Sequence, residues 1–269
     1  MISVKNKSKK SLDVALWCPA IRTHYWLKQY EDLANHNKCT FKIFYCGQKR
    51  PTPEEREKFP ENLIYIYSPM PTITAHAEIA RRFAMRSGSK YIMLYSDDMY
   101  AYPGMLDYLV EEMENYGGEM VVGPAFRPVL EGQKAKPAAD RFINLHVTRD
   151  TFFGTSHPLI LRKTAGNIGG LDKRFKGPCF DRDYFLRLYS YKNIPWKTVE
   201  KAKIAEDMKQ QFDSQGLSWG SRASETYTPH DWSVCQEIWD VNLKNFDGHA
   251  VRKQENIFFE DDELIFELG

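Results

Sequence analysis

The sequence lacks an excess of charge of either sign. Its 37 Lys and Arg are matched by 36 Asp and Glu, a net charge of +1. That balance excludes a polyanion-coating protein, whose affinity would rest on surplus cations displacing counterions. It leaves a local basic groove open. Cysteine is sparse: five residues, an odd number with no CxxC pair. A zinc site or a disulfide framework is therefore not expected, and a reducing compartment is. No run approaches the ~18 apolar residues that read as a membrane span. The basic start (Lys5, Lys7, Lys9, Lys10) precedes an apolar stretch, residues 12–17, that is short and contains Asp13. A secretory leader is not expected there, and the expected location is cytoplasmic. The lysines read as a solvated tail or as an arm touching phosphate. GxGxxG and GxxxxGK[ST] are both missing, which removes the P-loop NTPases. Repeats and low-complexity segments are missing too.

What is there is ordinary in bulk and unusual in one respect. A chain of 269 residues can bury a core without disulfide or metal staples. The unusual figure is 14% aromatic residues, enough for both a core and stacking surfaces for a sugar or base. Tyr95, Tyr100, Tyr102, Trp196, Trp219 and Trp232 are candidates for the second use.

Short β-type runs alternate with helical patterns through the first half. Strands are expected at residues 12–17, 41–46, 63–67, 91–95 and 120–122. Helices are expected from Thr23, capped by that residue, to about Ala34, and from Ile73 to before Gly88. Another should run from Pro103 to Gly117. This alternation predicts an α/β fold with a mostly parallel central sheet and helices on both faces. Such sheets bind ligands at the carboxyl ends of their strands. Two strand ends carry polar residues of interest, 19–22 and 96–98. Further on, residues 126–149 read as a long loop and 151–161 as a returning strand. Residues 183–189 read as a helix. A late helix would carry Trp232, Cys235, Ile238, Trp239, Asn242 and Phe246 on one face. Residues 255–267 form an acidic tail without Lys or Arg.

Asp97 and Asp98 end a buried apolar strand. Adjacent carboxylates repel and need a positive partner, and hard oxygen ligands suit Mg²⁺ or Mn²⁺. By themselves they read equally well as a turn with Asp98 as a cap. The wider stretch ARRFAMRSGSKYIMLYSDDMYAYPGML (residues 80–106) resembles the nucleotide-sugar half of GT-A glycosyltransferases of the large family-2 type. The matching residues are Ala80-Arg81-Arg82, Gly88, Tyr91-Ile92, Asp98 and Pro103. Ser96 stands at the first position of that family's DxD motif. A second match follows. Residues 169–175 (GGLDKRF) resemble the family's GGfDErf, and Phe180-Asp181-Arg182-Asp183 and its continuation resemble EDvDlclRl. The resemblance covers residues 12–200 and fades beyond.

The resemblance implies a metal-dependent enzyme moving a sugar from a nucleotide-diphosphate donor, UDP by default, to a hydroxyl acceptor, with inversion. Residues 12–124 would form the nucleotide-sugar half and 125–200 the acceptor half. Residues 1–11 would be a basic tail and 201–269 a C-terminal helical extension ending in the acidic tail. Asp98 would hold Mn²⁺ or Mg²⁺, helped by Asp97, with His230 as a third ligand. Pro19 and Arg22 would contact the nucleotide. Arg81 and Arg82 would lie near the diphosphate, unless they form a solvated face with Glu78 paired to Arg82. Asp181 or Asp183 would be the general base, because the acceptor hydroxyl must lose a proton. Read without the family, both acids sit at a helix start, and Asp231 caps a helix beginning beside His230. The acceptor would be a saccharide or small hydroxylated molecule. A hydroxylated base in DNA is a sharper possibility, served by Arg81, Arg82, Arg86, Arg127, Lys134, Lys136 and Arg141. A rival of another class is a non-catalytic GT-A-like binding module, favoured by Ser96 and Phe180 in place of acids. A sugar nucleotidyltransferase would show a Gly-rich basic loop after the first strand, and residues 18–22 are not one.

Overall fold

A computed structural model of the chain describes residues 12–128, 130–131, 142, 157–177, 179–207, 219–240 and 251–269, with backbone alone for 219–225. Residues 1–11, Lys134, Lys136, Arg141, Asn242, Phe246 and the side chain of Trp219 lie outside that description.

The first half alternates strands and helices as the patterning predicts. It runs β1 (Val14–Pro19), α1 (Thr23–His36), β2 (Phe41–Gly47), a single-turn α2 (Pro53–Arg56), β3 (Leu63–Tyr67), α3 (Ile73–Arg86) and β4 (Tyr91–Leu94). Then come β5 (Met99–Ala101), α4 (Met105–Tyr116), β6 (Val121–Arg127), β7 (Leu159–Leu161), α5 (Arg162–Ile168) and α6 (Phe180–Ser190). The chain closes with β8 (Trp196–Glu206), α7 (Trp219–Ile238), β9 (Trp239–Asp240), β10 (Val251–Arg252) and β11 (Glu267–Leu268). One nine-stranded sheet has the order β11-β3-β2-β1-β4-β7-β6-β8-β5, and β9 and β10 form a separate ribbon. β3, β2, β1 and β4 are mutually parallel, as are β6 and β8. β7, β5 and β11 run antiparallel to their neighbours. The sheet is therefore mixed and largely parallel.

The strands' alternation feeds two cores. On one face, Ala15 and Trp17 of β1 meet the small residues Ala75, Ala77, Ala80 and Ala84 of α3, with Phe180 and Tyr184 of α6. On the other, Val14, Leu16 and Cys18 meet Trp26 and Leu33 of α1 and Met105, Leu106 and Leu109 of α4. A strand covered on both faces reads as a continuous apolar run, and β1 is buried from Val14 to Cys18. Tyr95 belongs to the second core, fully buried with its ring edge-on to His157. It is not available to stack on a ligand.

Three helix starts differ from the sequence reading. α1 begins at Thr23, but its N-cap is Arg22 and no side chain on α1 caps it. The two amides just ahead of the helix, those of Ile21 and Arg22, donate to Asp97 at another strand end. α4 begins at Met105, behind Gly104 at φ 79. Asn37 caps it from outside, accepting from the amides of Leu106 and Asp107. α7 runs through Pro229, so Asp231 lies inside a helix and not at its start. The acidic tail is also not a free end: β11 adds antiparallel to β3, and Ser68 donates its hydroxyl to the carbonyl of Ile265.

Gly47 marks where the carboxyl ends of β1 and β2 nearly touch. A Cβ there would lie 1.8 Å from the carbonyl oxygen of Ala20, a backbone atom that cannot rotate away. Gly47→Ala is expected to destabilise the fold by about 3 kcal/mol, as overpacking at a rigid contact does. The check is the midpoint of urea unfolding.

Candidate active site

The sheet brings the β1–α1 connection and the β4–β5 turn to one carboxyl edge. Pro19 ends β1, and Arg22 follows in the connection. Asp97 and Asp98 form the turn. The clustering has a clear electrostatic basis. Asp97 is 1% exposed, and its Oδ2 accepts from the amides of Ile21 and Arg22 at 2.7 Å each and from the indole of Trp26 at 3.3 Å. Its Oδ1 takes one arm of the Arg22 guanidinium. The other arm reaches Asp98 Oδ2 at 3.3 Å. One buried guanidinium thus neutralises two adjacent carboxylates, which is how such a pair survives burial. Burial opposes the Arg22 charge, but Asp97 and Asp98 outweigh it and raise its affinity for the proton.

Asp98 is in a different state. Its side chain keeps 15% exposure. Ser96, at the first motif position, donates to Asp98 Oδ1 at 2.5 Å. Burial pushes the Asp98 carboxyl above the usual range, and Arg22 works against that rise. The backbone around it is clamped. Gln29 of α1 donates to the carbonyls of Ser96 and Met99, and the amide of Asp207, just past β8, donates to the carbonyl of Asp98 at 2.7 Å.

A metal would have to use these residues. Among the described residues no three His, Cys, Asp or Glu side chains come together around a cation. Both oxygens of Asp97 are already engaged by protein donors. His230 Nε2 lies 3.0 Å from the carbonyl oxygen of Arg174. Asp98 alone retains a partly exposed carboxylate. That suits the way Mg²⁺ is often held, by one or two carboxylates plus substrate phosphates.

Arg81 and Arg82 are turned to structure. Arg81, 7% exposed, grips Glu78 through Nε at 2.7 Å and Nη2 at 2.9 Å. Arg82 Nε joins the same carboxylate at 2.8 Å, the expected i,i+4 pair, and its other arms hold Asp261 and the Phe259 carbonyl. Glu78 also accepts from the Leu171 amide, so this cluster fastens the GGLD segment and the C-terminal strap to α3.

The two acids of α6 also part company. Phe180 and Tyr184 lie against Trp17, with centroids 6.4 and 6.0 Å away, so the first turn of α6 starts beside the carboxyl end of β1. Asp183 is fully buried. It accepts from Arg187 Nε at 2.9 Å, from the Trp239 indole at 2.9 Å and from Arg252. Arg252 also holds Asp172 at 2.9 Å, tying the strap to α6. Asp181 is half-buried and forms no ion pair among the described residues. Burial pushes its carboxyl up to about 6, with Arg182 pulling the other way. Arg182 itself stacks on Trp232 at 4.4 Å. A half-buried carboxyl poised near neutral pH and held in no ion pair suits proton transfer. One locked between two guanidiniums does not.

Sequence reasoning missed Gln29, Asp207, Asp231, Trp239 and Arg252 as parts of this region. Each reaches it from a distant segment, and no local pattern marks such a contact.

The parallel β3-β2-β1-β4 core, the acidic turn after β4 and the helix across β1 make up the GT-A fold. Similar solved structures include residues 1–349 of TarS from S. aureus, at a TM-score of 0.53 and 10% identity, covering 72% of this chain and 60% of that one. A longer TarS structure aligns at 0.54 and 10% identity, covering 74% and 37%. TarS 1–349 in complex with UDP-GlcNAc aligns at 0.46 and 10%, covering 69% and 58%. The chain thus spans about three fifths of the shorter TarS structures and well under half of the longer one. No protein-family model matches the sequence, and no curated protein matches it.

Two outcomes follow from the contrast between the acids. Asp97→Ala leaves Arg22 buried and short of its main partner and is expected to cost about 3–5 kcal/mol in chemical denaturation. Asp181 binds its proton more tightly folded than unfolded, so its ionisation takes stability away as pH rises from about 4 through about 6. Asp181→Asn should therefore raise the melting temperature most at pH 7.5, clearly less at pH 4.5, and hardly at all below the unfolded pKa, at about pH 3.

Proposed function

We propose that this protein is a glycosyltransferase. It moves a sugar from a nucleotide-diphosphate donor to a hydroxyl acceptor, with inversion, and Asp181 is its general base. The observation that carries this reading is the Asp181 carboxyl, half-buried at the start of α6, in no ion pair among the described residues and pushed by burial to about 6. The GT-A fold supports the donor class. Asp183, two residues on, serves as the anchor that fixes α6.

The donor would lie along the carboxyl edge, its nucleotide near Pro19 and Arg22 and its diphosphate over the β4–β5 turn. Mn²⁺ or Mg²⁺, when bound, would sit on Asp98 and neutralise the charge that develops on the leaving diphosphate. Arg22 holds the turn in place from beneath through Asp97. Asp181 takes the proton of the acceptor hydroxyl as the new bond forms. Arg81, Arg82, Asp97 and His230 are assigned to structure in this reading.

A panel of UDP-sugars, scored by thermal shift with and without Mn²⁺ and then by release of UDP, tests it. Asp181→Asn is expected to keep donor affinity within about twofold while turnover falls about 10²- to 10⁴-fold, the usual worth of a general base. Asp98→Asn is expected to remove the Mn²⁺-dependent part of the thermal shift. Wild-type turnover in Asp181→Asn would overturn the assignment of the base.

A further inference from the structure

Asp231 is fully buried in α7. Its carboxylate accepts three backbone N–H groups from the turn that leads into α6: Lys176 at 2.9 Å, Gly177 at 3.0 Å and Cys179 at 3.2 Å. Asp181 is two residues beyond that turn. The turn is held from its other side by α3. The amide of Ile73 donates to the carbonyl of Lys176, and the Thr74 hydroxyl to that of Gly177. The fit is close, since a Cβ on Gly177 would lie 2.4 Å from Cβ of Tyr227. The last residues before Asp181 are thus fixed between two helices, and Asp231 supplies the larger share of the bonds.

No Lys, Arg or His side chain pairs with Asp231 among the described residues. A neutral acceptor would anchor backbone amides at a smaller desolvation cost than a carboxylate, so anchoring alone does not call for a charge here. In a low-dielectric interior that charge acts on its ionisable neighbours. The titratable and charged groups facing Asp181 are Arg182 on its own helix, Cys179 in the turn before it, and Asp231 and Cys235 on α7. Arg182 draws the Asp181 proton off, and Asp231 helps retain it.

We propose that Asp231 is the positioning residue of Asp181, aiming the base through its bonds to Lys176, Gly177 and Cys179 and placing its own charge beside it. This rests on the reading of Asp181 as general base. The role needs a carboxylate of this length at this place. Asn keeps part of the anchor and removes the charge. Glu keeps the charge and displaces the anchor.

The test uses the full chain and the UDP-sugar that turns over in the panel above. In Asp231→Asn, kcat for UDP release is expected to fall at least about tenfold with donor KM within about twofold. The Asp181 carboxyl midpoint, followed by ¹³C NMR and assigned with Asp181→Asn, is expected to move to lower pH. In Asp231→Glu the midpoint should stay while kcat falls. An unmoved midpoint in Asp231→Asn, or wild-type kcat in either variant, overturns the proposal. Should Asp231→Asn fail to fold, the division between kcat and KM in Asp231→Glu decides. Wild-type turnover in Asp181→Asn would instead remove the base assignment itself, whereas a dead Asp181→Asn beside unaffected Asp231 variants would sink this inference alone.

Discussion

The Arg22 guanidinium, held between Asp97 and Asp98, is the interaction on which the carboxyl edge of the sheet depends. Two neighbouring carboxylates at the end of a buried strand would repel each other and lack solvation. Arg22 neutralises both, and its own amide and that of Ile21 bind the same Asp97 oxygen. This one contact closes the β1–α1 connection and fixes the β4–β5 turn. It also divides the pair. Asp97 is consumed by the protein, and Asp98 keeps an edge toward solvent.

The same division recurs on α6. Asp183 and Asp181 are two residues apart and face opposite environments. Asp183 is bound by Arg187, Arg252 and the Trp239 indole. Asp181 meets burial first, then the opposing charge of Arg182 and backbone amides. In both pairs one acid is locked into the scaffold, and the proposed chemistry falls to its neighbour. Residue type is the same in all four cases. Coordination by donors from distant segments decides the role.

The C-terminal residues belong to this arrangement. Asp172 pairs with Phe258 across a β-bridge, Arg252 spans Asp172 and Asp183, and β11 extends the sheet beyond β3. The strap therefore fastens α6, the GGLD segment and the sheet edge together. Acidic residues there are partners for Arg82 and Lys173 (Asp261 and Glu263), which explains a tail that carries acids and no Lys or Arg.

Much of the fold was legible because its signals are local. The apolar runs of β1, β2, β3 and β4 and the 3.6-residue spacing of α3 and α4 are properties of short windows. So is the placement of Asp97, Asp98 and Asp181 at element ends. The start of α4 was misread because its cap, Asn37, comes from elsewhere in the chain. Asp231 was misread as a cap because its partners, the amides of Lys176, Gly177 and Cys179, lie some fifty residues upstream. The sequence by itself determined the α/β layering and where the candidate acids would fall, since both follow from periodicity and turn chemistry. Only the tertiary structure decided which acid is an anchor and which is open. That depends on the guanidiniums, indole and amides that long-range packing brings within hydrogen-bonding distance, and no window of sequence contains them.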